Sequence, residues 1–128
     1  MTSNCIFCNQ VAPLLENELA LAFFDQSPVS LGHLLIIPKV HRQDYFDCNK
    51  EELAAINDLT RQAKLYLEEQ FSPDGYNIGW NCGQVAGQTI FHCHMHLIPR
   101  YQGDVENPIG GVRGVIPNKQ NYKKKTQT

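Results

Sequence analysis

No stretch of this chain approaches the roughly 20 consecutive apolar residues that a membrane helix needs, and Met1-Thr2-Ser3-Asn4-Cys5 lacks the basic patch and apolar run of a secretory leader. These absences predict a cytoplasmic protein with no membrane partner. Basic clusters are equally scarce. The net charge is -2, and the single basic run, Lys123-Lys124-Lys125, does not supply the cationic surface that phosphate-backbone binding requires, so no nucleic-acid partner is expected. That run belongs to a tail read as disordered over about 122–128. Five cysteines, an odd number, argue against a disulfide framework and for reduced thiols. Repeats and low-complexity segments are missing too. What remains is 128 residues, 42% hydrophobic and 19% charged, enough for one globular domain.

Leu19 to Phe24 has the composition of a strand and is stopped by Asp25-Gln26-Ser27-Pro28, while Leu34-Leu35-Ile36-Ile37, bounded by Gly32 and Pro38, reads as a buried strand. Asn49 and Glu52 form a capping-box pair ahead of the helix-periodic set Leu53, Ile56, Leu59, Ala63, Tyr66 and Leu67. The spacing predicts one long helix from about Lys50 to Glu69, ended by Ser72-Pro73-Asp74-Gly75. Gly75–Asn81 and Thr89–Arg100 read as strands joined by a Gly-containing loop, Cys82–Gln88. Strands outnumber helices without regular alternation, which favours an α+β domain with an antiparallel sheet.

The chemistry concentrates in Phe91-His92-Cys93-His94-Met95-His96-Leu97-Ile98-Pro99. A period of two on a strand places the three imidazoles on one face, successive rings roughly 7 Å apart, with Cys93, Met95 and Leu97 turned inward. Three imidazoles so concentrated point to proton transfer, attack at phosphorus or metal binding rather than to packing. Near the N-terminus, Cys5-Ile6-Phe7-Cys8 is a C-x-x-C that fits a redox pair, half of a metal site or two buried thiols. Asp25 before Ser27-Pro28 is by itself a turn initiator.

His92 through Ile98 matches, in every slot, the signature of the histidine-triad (HIT) superfamily, three histidines alternating with apolar residues. The resemblance extends to Phe23-Phe24-Asp25, Gly32-His33-Leu34-Leu35-Ile36-Ile37-Pro38-Lys39, Asn81-Cys82-Gly83 and Ala86-Gly87-Gln88-Thr89, in family order, and covers Cys5 to about Tyr101. It implies a HIT-like fold of about five strands, one long helix and a short N-terminal helix, spanning 1–128 with a C-terminal extension from about 102. It also implies a nucleotide hydrolase or transferase in which His94 attacks the α-phosphorus and forms a nucleotidyl-histidine, its ring oriented by the carbonyl of His92, with His96 assisting.

By the same resemblance Asp25 holds the ribose hydroxyls, Asn81, Gln88 and Thr89 contact the phosphate, Phe7 and Phe23 sandwich an adenine or guanine base, and His33 supports the triad. Cys5, Cys8, His41 and His92 resemble the structural zinc site of bacterial members, and a homodimer is implied. The segment Gly110–Pro117 resembles the extension of bacterial diadenosine polyphosphate hydrolases and is expected on the leaving-group side, with Arg113 at a distal phosphate. Dinucleoside polyphosphates and nucleoside phosphoramidates are the implied substrates, the first favoured by the resemblance at Gly87-Gln88-Thr89 and in the C-terminal segment. Two other readings stand beside the enzyme: a nucleotide-binding regulatory module with incidental catalysis, and a metal-handling protein that uses the imidazole row. The second leaves Asp25, Asn81 and Gln88 unexplained.

Overall fold

The strand-forming segments assemble into one antiparallel sheet in a computed structural model that describes residues 4–122. After a short helix α1 (Ile6–Asn9) come β1 (Leu15–Glu16), β2 (Ala20–Phe24), β3 (Leu34–Pro38), the long helix α2 (Lys50–Phe71), β4 (Gly75–Trp80) and β5 (Met95–Arg100). Their order in the sheet is β1-β2-β3-β5-β4. This is the expected α+β architecture; the two-residue β1 was not foreseen.

Helix α2 starts as its sequence directs. The Asn49 side chain accepts from the Glu52 amide and the Glu52 carboxylate accepts from the Asn49 amide, both at 2.8 Å. The helix runs two residues past the expected end, to Phe71. There Ser72 takes a left-handed φ of 53°, donates its amide to the carbonyls of Leu67 and Glu68, and Pro73 prevents continuation. Ile56, Leu59, Ala63 and Leu67, each at most 1% exposed, pack on Ala20, Ala22, Leu34, Ile36, Met95 and Leu97. Each buried Leu or Ile there contributes about 1.5–3 kcal/mol. Gly32, at φ 90°, lets the turn into β3 press on the helix, because a Cβ would sit 3.0 Å from the side chains of Leu67 and Phe71.

Strand β3 is buried on both faces. Leu34 and Ile36 face α2, while Leu35 and Ile37 join Phe7 and Phe23 in a second cluster on the opposite face, which carries the site. One expectation needs correcting: the strand read from Thr89 begins only at Met95. The β3–β5 ladder ends at Ile36 opposite Met95. Beyond it the partner reaches Pro38, which has no amide to donate, and the Cys93 amide instead donates to the carbonyl of Arg42 at 2.8 Å. Alternation persists: Cys93, Met95 and Leu97 are buried, while His94 and His96 are half-open on the other face.

Arg42 also grips the start of α2, its Nε donating to both Glu52 carboxylate oxygens at 3.0 and 3.1 Å, and so fixes the loop that bears His41. After β5 the described chain makes 3-10 turns at Gly111–Val115 and Pro117–Lys119. The basic run and the rest of the tail from 123 lie outside the described residues. Among the described residues no disulfide forms and no helix is long and apolar enough to cross a membrane.

Candidate active site

The sheet register places His96 opposite Leu35 on β3 and opposite Gly79 on β4. His94 lies two positions upstream, its ring centroid 5.3 Å from that of His96. Both line a cavity of about 560 Å³ together with Asp25, Asn81, Thr89 and Phe7. His92 does not reach it. Leaving the ladder frees that end of the triad to serve a different set of residues.

Backbone partners assign the tautomers. His94 Nδ1 lies 3.0 Å from the His92 carbonyl, which only accepts, so Nδ1 carries a proton and the neutral ring has its lone pair on Nε2. The Val29 amide donates to His33 Nδ1 at 3.1 Å, which leaves the His33 proton on Nε2. That Nε2 donates to His96 Nδ1 at 2.9 Å, so His96 carries its own proton on Nε2. The buried His33 thus hydrogen-bonds directly to the last triad imidazole. Asp25 Oδ2, 3.4 Å from His33 Nε2, closes the group. Burial, reinforced by His94 and His33 and opposed by Asp25, holds the His96 imidazole down to about 4. His33 is lowered by burial against the opposing Asp25, so both rings are neutral at neutral pH.

The ligand atoms of Asp25, His33 and His96 lie within 4.8 Å of one another. Because Val29 occupies the Nδ1 lone pair of His33, a metal at Nε2 would require an imidazolate. The trio is therefore a proton-ordered chain.

Asp25 lies both at the turn and at the cavity. Oδ1 accepts from the Ser27 amide at 2.9 Å, closing the turn, while the carboxylate also lines the cavity. Asn81 and Thr89 line it as well, but Gln88 does not. It is 2% exposed. Its carbonyl accepts from the Gly83 amide and its amide donates to the carbonyls of Gln43 and Ile90, at 2.9, 2.6 and 3.1 Å, so its polar atoms are consumed in bracing the loop. Gly87, held at φ 97°, lines the cavity beside Thr89 instead.

Phe7 and Phe23 also differ from expectation. Their centroids are 5.2 Å apart at an edge-on 65°, too close to admit a third ring, so they form one wall rather than two sides of a sandwich. Ile6, Gln10, Val11 and Ile90 extend that wall and were missed. Their sequence signal is only their proximity to Cys5-x-x-Cys8 and to the triad.

On the other side of His92, its Nε2 donates to the Pro38 carbonyl at 2.8 Å, which leaves the Nδ1 lone pair facing the sulfurs of Cys5 and Cys8, each at 3.4 Å. His41 Nδ1 is 3.3 Å from the Cys8 sulfur. All four ligand atoms fall within 4.8 Å of one another. Two sulfurs, two imidazoles and a carbonyl that orients one of those imidazoles fit a tetrahedral zinc ion.

Arg113 is not at the cavity. Its Nε donates to the Lys119 carbonyl at 3.2 Å and its guanidinium lies 4.7 Å over the Tyr122 ring. The C-terminal segment instead lines a second cavity of about 500 Å³ with Asn77, Ile98 and Arg100. Arg100 is already held there by Asp104 and Asn77, at 2.7–2.8 Å.

A family model for the HIT domain matches residues 9–103. A crystal structure of a HIT-family protein from Bacillus anthracis is similar over 79% of this chain and 76% of that one, with 42% identity and a TM-score of 0.74. A zinc-bound histidine-triad protein from Mycobacterium smegmatis shares 33% identity at a TM-score of 0.73, covering 81% and 80% of the two chains. The adenosine 5'-monophosphoramidase of Schizosaccharomyces pombe is 36% identical over 103 residues, 76% of this chain and 74% of that one.

Proposed function

The chain belongs to the HIT-domain family, and on that premise we propose that it is a nucleotide hydrolase or transferase cleaving at the α-phosphorus through a nucleotidyl-histidine on His94. The observation that carries this reading is that His94 and His96 line one cavity and are hydrogen-bonded through Nδ1 to different partners, an arrangement consistent with a lone pair on Nε2 of a neutral His94 ring and a proton on Nε2 of His96. In the first step the His94 Nε2–phosphorus bond forms and the bond from phosphorus to the leaving atom breaks. His96 donates its hydrogen bond to that atom as charge develops on it. Water or another acceptor then forms the new bond to phosphorus as the bond to His94 Nε2 breaks, and the proton the acceptor loses balances the one the departing group takes up from solvent. Splitting the displacement in this way suits a neutral imidazole, which attacks phosphorus and leaves it readily.

Asp25 binds the ribose hydroxyls, Asn81 and Thr89 with the Gly87 backbone bind phosphate oxygens, and a purine lies on the wall made by Phe7 and Phe23. The substrate class is a dinucleoside polyphosphate or a nucleoside phosphoramidate, and the fission-yeast relative's activity favours the second. Cys5, Cys8, His41 and His92 would hold a zinc ion in a structural role, with four protein ligands and no part in the chemistry. The edge strand β4 and helix α2 form the pairing surface of a homodimer. A substrate panel tests the reading: an adenosine phosphoramidate, a diadenosine polyphosphate and a nucleoside-diphosphate sugar. Turnover of one, several hundredfold above the others, is expected. Tight nucleotide binding with no turnover of any would instead mark a regulatory binding module.

A further inference from the structure

The metal-ligand cluster and the nucleotide cavity share one short piece of chain. Helix α1 has only 4 residues, no side-chain cap and no acidic residue in its first turn. A helix this short does not hold itself together in water. Cys5 precedes it and Cys8 lies within it, both directed at the imidazoles of His41 and His92. Between them Phe7 turns to the cavity side, 7% exposed, and meets Phe23 at 5.2 Å and His94 at 5.1 Å, edge-on in both cases. Five cavity-lining residues, Ile6, Phe7, Gln10, Val11 and Ala12, come from this segment.

The two sides of the cavity are anchored by different means. On the phosphate side, His94 is oriented by the His92 carbonyl, and His92 is fixed by the Pro38 carbonyl and by the neighbouring Cys93 amide on Arg42, hydrogen bonds of 2.8–3.0 Å that involve no metal. On the base side, α1 is tied to the sheet by the packing of Phe7 and by sulfur–imidazole contacts of 3.3–3.4 Å. A thiol is a weak hydrogen-bond partner. With zinc bound, the two thiols would release their protons to solvent and all four side chains would ligate the ion.

From this asymmetry we infer that metal binding at Cys5, Cys8, His41 and His92 controls the base-side wall of the nucleotide cavity. Filling the cluster fixes Phe7 and its neighbours and tightens the base; emptying it releases them and leaves the phosphate side in place. The inference rests on the nucleotide site proposed above. Linkage makes it reciprocal, since a nucleotide bound to that wall strengthens metal binding by the same factor.

The test uses two probes, AMP and ribose 5-phosphate, the second having sugar and phosphate but no base. Each is titrated into zinc-loaded protein and into protein stripped with a chelator, with circular dichroism verifying that both are folded. Stripping is expected to weaken AMP about tenfold or more and ribose 5-phosphate less than about twofold, and saturating AMP to raise zinc affinity, read by competition with a chelating dye, by the same factor as AMP itself gains. Where stripping unfolds the chain, that competition and a Phe7→Ala comparison, both on loaded protein, decide the matter. Phe7→Ala is expected to weaken AMP about tenfold or more with zinc content unchanged, since it removes a buried aromatic from the wall. An AMP affinity that stays within about twofold on stripping or in Phe7→Ala, or equal weakening of both probes, overturns the inference. Loaded protein that binds no AMP overturns the nucleotide reading instead, and protein with all four ligands that takes up no zinc overturns the metal premise.

Discussion

Replacing His33 by Phe keeps the volume of a side chain that is 2% exposed but removes both of its ring nitrogens. The Val29 amide then loses its acceptor at 3.1 Å and His96 Nδ1 loses its donor at 2.9 Å. Both bonds are only part-buried, so each lost bond costs about 0.5–1.5 kcal/mol and a stability loss of roughly 1–3 kcal/mol is expected. The effect on rate is separable. Without the His33 donor, neither the tautomer nor the ring angle of His96 is enforced, and a loss of about 1.4–2.8 kcal/mol of transition-state stabilisation corresponds to a ten- to hundredfold fall in kcat, with KM within about threefold. Because His96 donates a hydrogen bond to the leaving atom, the fall is larger for an alkylamine leaving group, on which more charge must be stabilised, than for a weakly basic aromatic amine. His33→Gln supplies a carbonyl for Val29 and an amide N–H for His96, and should recover most of the stability and part of the rate. Steady-state kinetics on two adenosine phosphoramidates, with thermal unfolding of each variant, measure all of this. A folded His33→Phe protein with kcat within about twofold of the parent on both substrates would refute the proton-ordered chain.

Gln88→Leu should lower stability by about 2–4 kcal/mol, because it strands the Gly83 amide and the carbonyls of Gln43 and Ile90; a chemical-denaturation midpoint that does not move would show that these groups find other partners. The His96 imidazole, held down to about 4 by burial first and then by His94 and His33 against Asp25, takes up its proton more readily in the unfolded chain, whose ordinary value is 6.5. Stability therefore falls as pH drops from about 6.5 toward 4, by about 2–3 kcal/mol from this group, and the slope should shrink in His96→Gln; equal slopes in parent and variant would remove His96 as the cause. The purified protein should hold about one zinc per chain, and Cys5→Ser with Cys8→Ser should abolish it and lower the melting temperature, measured by metal analysis and calorimetry. Zinc content unchanged in that double variant would place the metal elsewhere.

The parts of this fold legible in the sequence are those that local pattern determines. Asn49 and Glu52 sit three residues apart and cap α2 as their spacing directs. The alternation of Cys93, Met95 and Leu97 with histidines sorts the two faces of the sheet even where the ladder has ended. What was illegible depends on partners distant in the chain. That β5 starts at Met95 follows from Pro38 on another strand and from the carbonyl of Arg42, neither visible in residues 89–94. Gln88 has the residue type of a phosphate ligand, and only the inward direction of its amide shows that Gln43, 45 positions away, claims it. Phe7 and Phe23 carry the right chemistry for a base, but whether two aromatic rings face across a gap or touch each other is a matter of tertiary packing. The separate roles of the three triad imidazoles are implied by the resemblance alone; the period of two does not tell them apart, whereas their hydrogen-bond partners differ from ring to ring.

The most direct test of the central claim is a rapid-quench trap with a substrate labelled at its α-phosphate, followed by mapping of the modified residue. A nucleotidyl adduct on His94, labile in acid and stable in base, is expected, since displacement at phosphorus by imidazole leaves a phosphoramidate bond. His94→Ala should abolish the adduct and reduce turnover by several orders of magnitude while nucleotide affinity stays within roughly tenfold, because the nucleophile acts mainly in the transition state. An adduct on His96 or Cys93, or near-parental turnover by His94→Ala, would contradict the account.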